Sequence, residues 1–254
     1  MPVFAYFSIE LIYICIMKAM IFAAGLGTRL KPFTDHAPKA LAEVNGRSLL
    51  EHNVRYLQRV GIYEVVINVH HFADQIEEAI ADNDAYGSEI AISDETDMLL
   101  ETGGGLKKAA HYFAGETDLV VMNVDILTNL DLGKMIDAHK ASDVMATLAV
   151  MQRESSRQLL FDGGMQLCGW QNNANGQQKI ARDIAGTTPY SFSGIQVVSG
   201  QLLEDMPFEG KFSMIDVYLY HAAKNTVKGY DHTGNLFIDV GKPGSVEQAE
   251  YLFS

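Results

Sequence analysis

The chain has 254 residues, of which 48% are hydrophobic and 20% charged, with 22 Gly against 6 Pro; this composition excludes disorder, collagen-like repeats and disulfide-stapled mini-proteins. A net charge of −13, from 19 Lys and Arg against 32 Asp and Glu, repels phosphate backbones and argues against nucleic acid as a partner. Cys15 and Cys168 form no CxxC pair and no disulfide framework, which fits a reducing, cytoplasmic compartment.

Residues 1–17, MPVFAYFSIELIYICIM, are apolar but carry Glu10 and lack the positive leader of a signal peptide and the length of a membrane span. Met17 opens MKAMIFAAG, which reads as the start of a folded unit. Residues 1–16 are therefore expected to be either non-native or a loosely attached extension, residues 17–254 a single domain, and no membrane association is expected. Residues 19–24 form an apolar run ending at Gly25, the signature of a strand buried on both faces. Ser48 and Glu51 have capping-box spacing, and Leu49, Leu50, Val54, Leu57 and Val60 recur at helical spacing until Gly61. A strand over 64–68, a helix over 73–81 and a strand over 89–93 follow. Alternating strands and helices predict a parallel sheet. After a loop at Gly103-Gly104-Gly105 come a helix over 106–110 and a central strand over 119–123. Beyond residue 150, short stretches at 159–161, 166–170, 179–182 and 191–198 read as antiparallel additions. Helices over 214–223 and 245–252 close the chain, the last with Ser245 and Gln248 at capping-box spacing.

Ligands of open α/β sheets bind beyond the carboxyl ends of the parallel strands, so the chemistry is sought just after the first strand. That segment reads Gly25-Leu26-Gly27-Thr28-Arg29, inside a stretch where Lys18, Arg29, Lys31, Lys39 and Arg47 face only Asp35 and Glu43. Two glycines let a phosphate approach the backbone, and Thr28 and Arg29 supply donors beyond them. Leu30 stands where a dinucleotide fingerprint needs a third glycine, and no GK[ST] follows, so neither a dinucleotide site nor a Walker loop is encoded.

The ordered set GLGTRLKPFTDHAPKAL resembles the signature of the sugar-1-phosphate nucleotidyltransferases, from Lys18 to the C-terminus and most strongly over 18–130 and 235–243. The resemblance implies a Rossmann-like three-layer α/β/α sandwich with a mostly parallel mixed sheet. It implies that Ala24, Gly25, Gly27 and Thr28 wrap a nucleoside triphosphate, that Arg29 holds the departing pyrophosphate and that Lys39 contacts the reacting phosphates. Nucleotidyl transfer needs charge neutralisation and in-line positioning more than covalent help, which suits these residue types. It also implies Mg²⁺, a hard cation needing one or two carboxylates. Asp125, after LVVMN, and Asp239, within Phe237-Ile238-Asp239-Val240-Gly241-Lys242-Pro243, resemble the family's metal-holding pair. Lys242 replaces the usual Thr, and Val124 stands where Gly is more frequent.

The LETGGG form of residues 100–105 resembles N-acetylmuramate-1-phosphate uridylyltransferases and some mannose-1-phosphate guanylyltransferases, which makes Gly103 the expected base contact. Asn68, at a strand end, either bonds the base or fixes the following turn. Ser193 and Gly194 resemble the element lining the sugar pocket, whereas an EKP-type motif is absent between 150 and 190. The implied partners are a nucleoside triphosphate and a sugar-1-phosphate, with UTP and an amino-sugar phosphate first, and GTP with mannose-1-phosphate second. A homo-oligomer is compatible with all of this. A catalytically silent nucleotide-sugar sensor would be expected to lose the metal- or pyrophosphate-binding groups, whereas Arg29, Lys39, Asp125 and Asp239 are all present; a glycosyltransferase would want a DxD motif and does not need the GTR loop. His70-His71 has no further His or Cys at zinc spacing, Cys168 beside Trp170 reads as packing, and neither GxSxG nor HExxH occurs.

Overall fold

The computed structural model describes residues 17–242 and 244–254, so the expected extension at 1–16 lies outside the described residues. Strand β1 (Lys18–Phe22) leads through a loop of short 3₁₀ turns into the small ladder β2 (Glu43–Val44) and β3 (Arg47–Ser48) and then helix α1 (Leu49–Gln58). Next come β4 (Glu64–Val69), α2 (Ala73–Asp82), β5 (Glu89–Asp94), α3 (Glu101–Ala109) and β6 (Asp118–Asn123). The chain continues through β7 (Ile126–Thr128), α4 (Leu132–Lys140), β8 (Ala146–Met151), β9 (Arg157–Phe161), β10 (Leu167–Asn172), β11 (Gln177–Ile180) and β12 (Thr188–Ser199). It ends with α5 (Gly200–Glu204), α6 (Met214–Ala222), β13 (Val227–Asp231), β14 (Phe237–Asp239) and α7 (Ser245–Leu252).

One ten-stranded sheet runs in the order β11-β10-β9-β12-β6-β1-β4-β5, with β8 pairing β12 and β13 pairing β8. Strands β5, β4, β1 and β6 are parallel, so their carboxyl ends share one rim. Strand β12 then returns antiparallel to β6, bringing its middle to that same rim. Side chains alternate along the central strands, as a sheet covered on both sides requires. Ala19, Ile21, Val120 and Met122 pack into a layer with α1, α2, α4 and α7, whereas Met20, Phe22, Leu119 and Val121 pack with α3, α5 and α6. The three-layer sandwich therefore follows from a period-two pattern buried on both faces. Helix α1 contributes Leu49, Leu50, Val54 and Leu57, all fully buried, each worth about 1.5–3 kcal/mol in water-excluded surface.

Three local expectations are corrected. The first strand stops at Phe22, because the N–H groups of Ala23 and Ala24 turn aside to donate to Asn68 Oδ1, at 2.8 and 3.4 Å. The three glycines are not a loop: α3 begins at Glu101 and carries all of them in its first turns. They form a packing seam, since a Cβ on Gly104 would lie 2.2 Å from the Gly210 carbonyl and one on Gly105 would lie 2.6 Å from Glu95 Oε1. Ser48 caps α1 as expected, accepting from the Glu51 N–H at 3.1 Å, but Ser245 does not cap α7; its hydroxyl donates back to the Lys242 carbonyl, and left-handed Gly244 stands at the cap. Among the described residues no helix is long and apolar enough to cross a membrane.

Candidate active site

At the carboxyl rim the glycine loop crosses over β1. Gly27 takes φ +62°, and a Cβ there would sit 2.7 Å from Thr34 Cγ2, so only glycine fits the bend. Thr34, itself buried, donates to the Gly27 carbonyl at 2.9 Å and fixes the loop from below. The N–H groups of Gly25, Leu26 and Gly27 meet no acceptor among the described residues, in a loop that is exposed at Gly25 and Leu26, which leaves amide donors available to a phosphate. Thr28 and Arg29 follow on the exposed side of the loop.

Two ion pairs cross this rim. Lys39 Nζ bonds Asp125 Oδ2, with both side chains no more than 15% exposed, and Arg29 Nη2 lies 3.6 Å from Asp239 Oδ2 in a wetter setting. The first is a nearly dry charge pair; the second is screened by solvent and weak. Asp125 and Asp239 themselves are neighbours. Burial raises the Asp239 carboxyl above its ordinary 3.8, the charge of Asp125 raises it further, and Arg29 and Lys39 oppose both. Asp239 Oδ1 is sealed from solvent and has no hydrogen-bond partner.

A divalent cation fits this arrangement. Two repelling carboxylates and an orphaned anionic oxygen are what a hard cation would relieve, and Mg²⁺ takes its remaining ligands from water and substrate phosphates. Among the described residues no group of three or more His, Cys, Asp and Glu side chains gathers, so a closed protein cage is not built. Gly241 belongs to the same design, because a Cβ there would lie 2.5 Å from Asp239 Oδ1 and 3.0 Å from Arg29 Nη2.

A cavity of about 360 Å³ opens beside the pairs, lined in part by Ala24, Gly25, Lys39, Asn68, Asn123 and Asp125. Its far wall is Leu99, Glu101, Thr102 and Ser213. Gly103 is turned away from it: its N–H donates to the Phe212 carbonyl at 2.9 Å, and its Cβ direction is filled by the Phe212 ring. Asn68 lines the cavity, and its hydrogen bonds within the protein go to the turn. Its oxygen accepts from Ala23 and Ala24, and its amide donates to Glu95 Oε1 at 2.6 Å, so it fixes the turn. Ser193 is fully buried with its hydroxyl 2.7 Å from His232 Nε2. Gly194, at φ +71°, lies flat against Asn123 at the cavity edge.

The supporting residues were less visible. Asn53 holds the peptide before Asp125 by donating to the Val124 carbonyl at 2.7 Å and to Leu49 at 2.8 Å. A polar residue inside the apolar stripe of α1 was its signal. Glu95, fully buried, accepts from Asn68 and from the Leu100 N–H at 3.0 Å, joining the glycine loop to the start of α3; nothing in its sequence surroundings marks it. Arg153, whose guanidinium lies 4.7 Å from the Phe237 ring centre, was likewise missed.

The family profile described as nucleotidyl transferase matches residues 18–159. The chain is 33% identical over 237 residues to an N-acetylmuramate alpha-1-phosphate uridylyltransferase from Caulobacter vibrioides, covering 91% of this chain and 95% of that protein. It is 31% identical to the protein of the same name from Neisseria meningitidis serogroup B, covering 93% and 98%. The crystal structure of HddC from Yersinia pseudotuberculosis complexed with GMP-PN superposes with a TM-score of 0.75 at 25% identity, covering 94% of this chain and 100% of that one. With the signature loop, the paired carboxylates and the sheet all in their places, the chain belongs to the nucleotidyl transferase family.

Proposed function

We propose that the protein transfers a uridylyl group from UTP to N-acetylmuramate 1-phosphate, with release of pyrophosphate. The observation that carries the chemistry is the crossing of two cation–carboxylate pairs under a row of free loop amides. The choice of UTP and an amino-sugar acid is supported by the two uridylyltransferases that align along nearly the whole chain. A phosphate oxygen of the acceptor attacks the α-phosphorus, that P–O bond forms as the bond to the β-phosphate breaks, and the electron pair leaves on pyrophosphate. The amides of Gly25 to Gly27 hold the triphosphate in line, and Arg29, more than half exposed, turns from Asp239 to the departing pyrophosphate. Lys39 shifts from Asp125 toward the reacting phosphates. Magnesium, held by Asp125 and Asp239, supplies neutralisation of phosphate charge when bound. Leu99, Glu101, Thr102 and Ser213 form the base side of the cavity, and Gly103 acts behind them by letting Phe212 close on α3. In this reading the protein works in the cytoplasm.

Pyrophosphate release over a panel of nucleoside triphosphates crossed with sugar-1-phosphates, with and without Mg²⁺, tests this. UTP with N-acetylmuramate 1-phosphate is expected to be the best pair, and metal-dependent. A folded protein silent across the panel would instead be a nucleotide-sugar sensor. The neighbour solved with GMP-PN favours guanylyl transfer as the second reading, and a GTP optimum in the panel would select it.

A further inference from the structure

Among the described residues, six buried side-chain nitrogen or oxygen atoms have no hydrogen-bond partner. Asp239 Oδ1 is explained by the cation site. Two more, Arg153 Nε and His232 Nδ1, lie beside one aromatic ring, that of Phe237, two residues before Asp239. The Arg153 guanidinium is over its face at 4.7 Å, and the His232 ring meets it edge-on at 6.3 Å. Arg153 has five N–H donors, yet the protein provides it with one hydrogen bond, from Nη2 to the Phe192 carbonyl at 3.1 Å. His232 is held through Nε2 by Ser193 alone. Phe192 and Ser193 belong to the irregular stretch of β12 next to Gly194, the side of the rim assigned above to the acceptor.

A buried donor without an acceptor is destabilising, and the half-buried Arg153 lines a hollow of about 450 Å³ with Gln152, Glu154, Gln158 and Thr188, distinct from the 360 Å³ cavity, where a ligand oxygen can meet its under-used guanidinium. Arg29 pairs with Asp239 and Lys39 with Asp125, and in the reading above both serve the reacting phosphates. Arg153 is a third cation, set apart from them by Phe237 and Asp239. A guanidinium presents its N–H groups in parallel pairs at the spacing of a carboxylate's oxygens. We infer that Arg153, supported by His232, binds a carboxylate carried by the acceptor sugar and thereby selects an acidic sugar phosphate over its neutral-sugar counterpart. N-acetylmuramate 1-phosphate has such a group in its lactyl ether; N-acetylglucosamine 1-phosphate is the same acceptor without it. The inference rests on the uridylyl-transfer reading above.

The test is kcat/KM with each of these two acceptors, at saturating UTP and Mg²⁺, for the full chain and for Arg153→Gln and Arg153→Lys. Wild type is expected to prefer the muramate. Arg153→Gln is expected to lower kcat/KM about 10- to 100-fold with the muramate and to leave the glucosamine value within about threefold. Arg153→Lys keeps the charge and the stem, and is expected to retain part of the preference. Equal loss with both acceptors in a variant that melts like wild type would mean that Arg153 serves the phosphate or the fold, and would overturn the inference. So would a wild type without preference between the two acceptors. Wild type inactive with both would contradict the uridylyl-transfer reading itself, and with it the assignment of Arg153.

Discussion

The two rims of the sheet differ in what they leave unfinished. At the amino ends of β6, β8 and β13 lies the larger cavity, about 990 Å³, lined by residues that include Asp118, His139, Met145 and Ser199. Its chemistry is complete: His139, buried, meets Thr147 Oγ1 at 2.9 Å through Nδ1 and Asp118 Oδ1 at 3.2 Å through Nε2. None of the unpartnered buried atoms found among the described residues belongs to its lining. The carboxyl rim has a cavity of about 360 Å³, but Asp239 Oδ1, Arg153 Nε, His232 Nδ1 and the amides of the glycine loop all wait there without partners. The size of a hollow says little; unmet charge and unmet hydrogen bonds identify where a ligand belongs.

That contrast predicts that removing charge at the carboxyl rim abolishes function without unfolding, and that removing contacts at the other rim does the reverse. The largest effect is expected from Asp125→Asn and Asp239→Asn, each lowering turnover about 10²- to 10³-fold in the pyrophosphate assay. Asp239→Asn should melt no lower than wild type, because it relieves a buried, repelled carboxylate; a fall in Tm would show that Asp239 is structural. Lys39→Met should be inactive, yet bind Mn²⁺ about 10-fold more tightly in the absence of nucleotide, since the nearly dry ion pair on Asp125 competes with the metal. Unchanged affinity in a Mn²⁺ titration would remove Lys39 from that contest.

Smaller effects sharpen the other half of the comparison. His139→Ala is expected to reduce stability by about 1–3 kcal/mol in urea unfolding, by leaving Asp118 and Thr147 without their partner, while kcat/KM is unchanged. Burial also lowers the His139 pKa below its ordinary 6.5, so its contribution to stability is present above that pH and lost as the pH falls through it. Asp239 behaves in the opposite sense. Its raised pKa means that the native state holds the proton more tightly than the unfolded chain, so stability associated with it is present below 3.8 and lost as pH rises through the raised value. A Tm-versus-pH series should show this decline in wild type and not in Asp239→Asn.

The sequence made the frame readable where one periodicity dominated. β1 and α1 announce themselves, β1 as an unbroken apolar run ending at Gly25 and α1 by apolar positions three and four apart, and the loop after β1 carries the ordered motif. The glycines at 103–105 misled because a glycine run looks the same whether it gives freedom or permits close packing; only the approach of Phe212 and Gly210 distinguishes them. Helix α4 escaped notice because its fourth buried position is His139 and not an aliphatic residue. Asn53, Glu95 and Arg153 act across 71, 27 and 39 residues of chain, and no local pattern records partners so distant.

The central claim is that Asp125 and Asp239 together hold one divalent ion against a bound nucleotide. Electron paramagnetic resonance of Mn²⁺ added to the protein with a non-hydrolysable UTP analogue measures it directly. The account predicts one tightly held ion per chain, lost in Asp125→Asn and in Asp239→Asn alike. An ion retained at full affinity in either variant would contradict it.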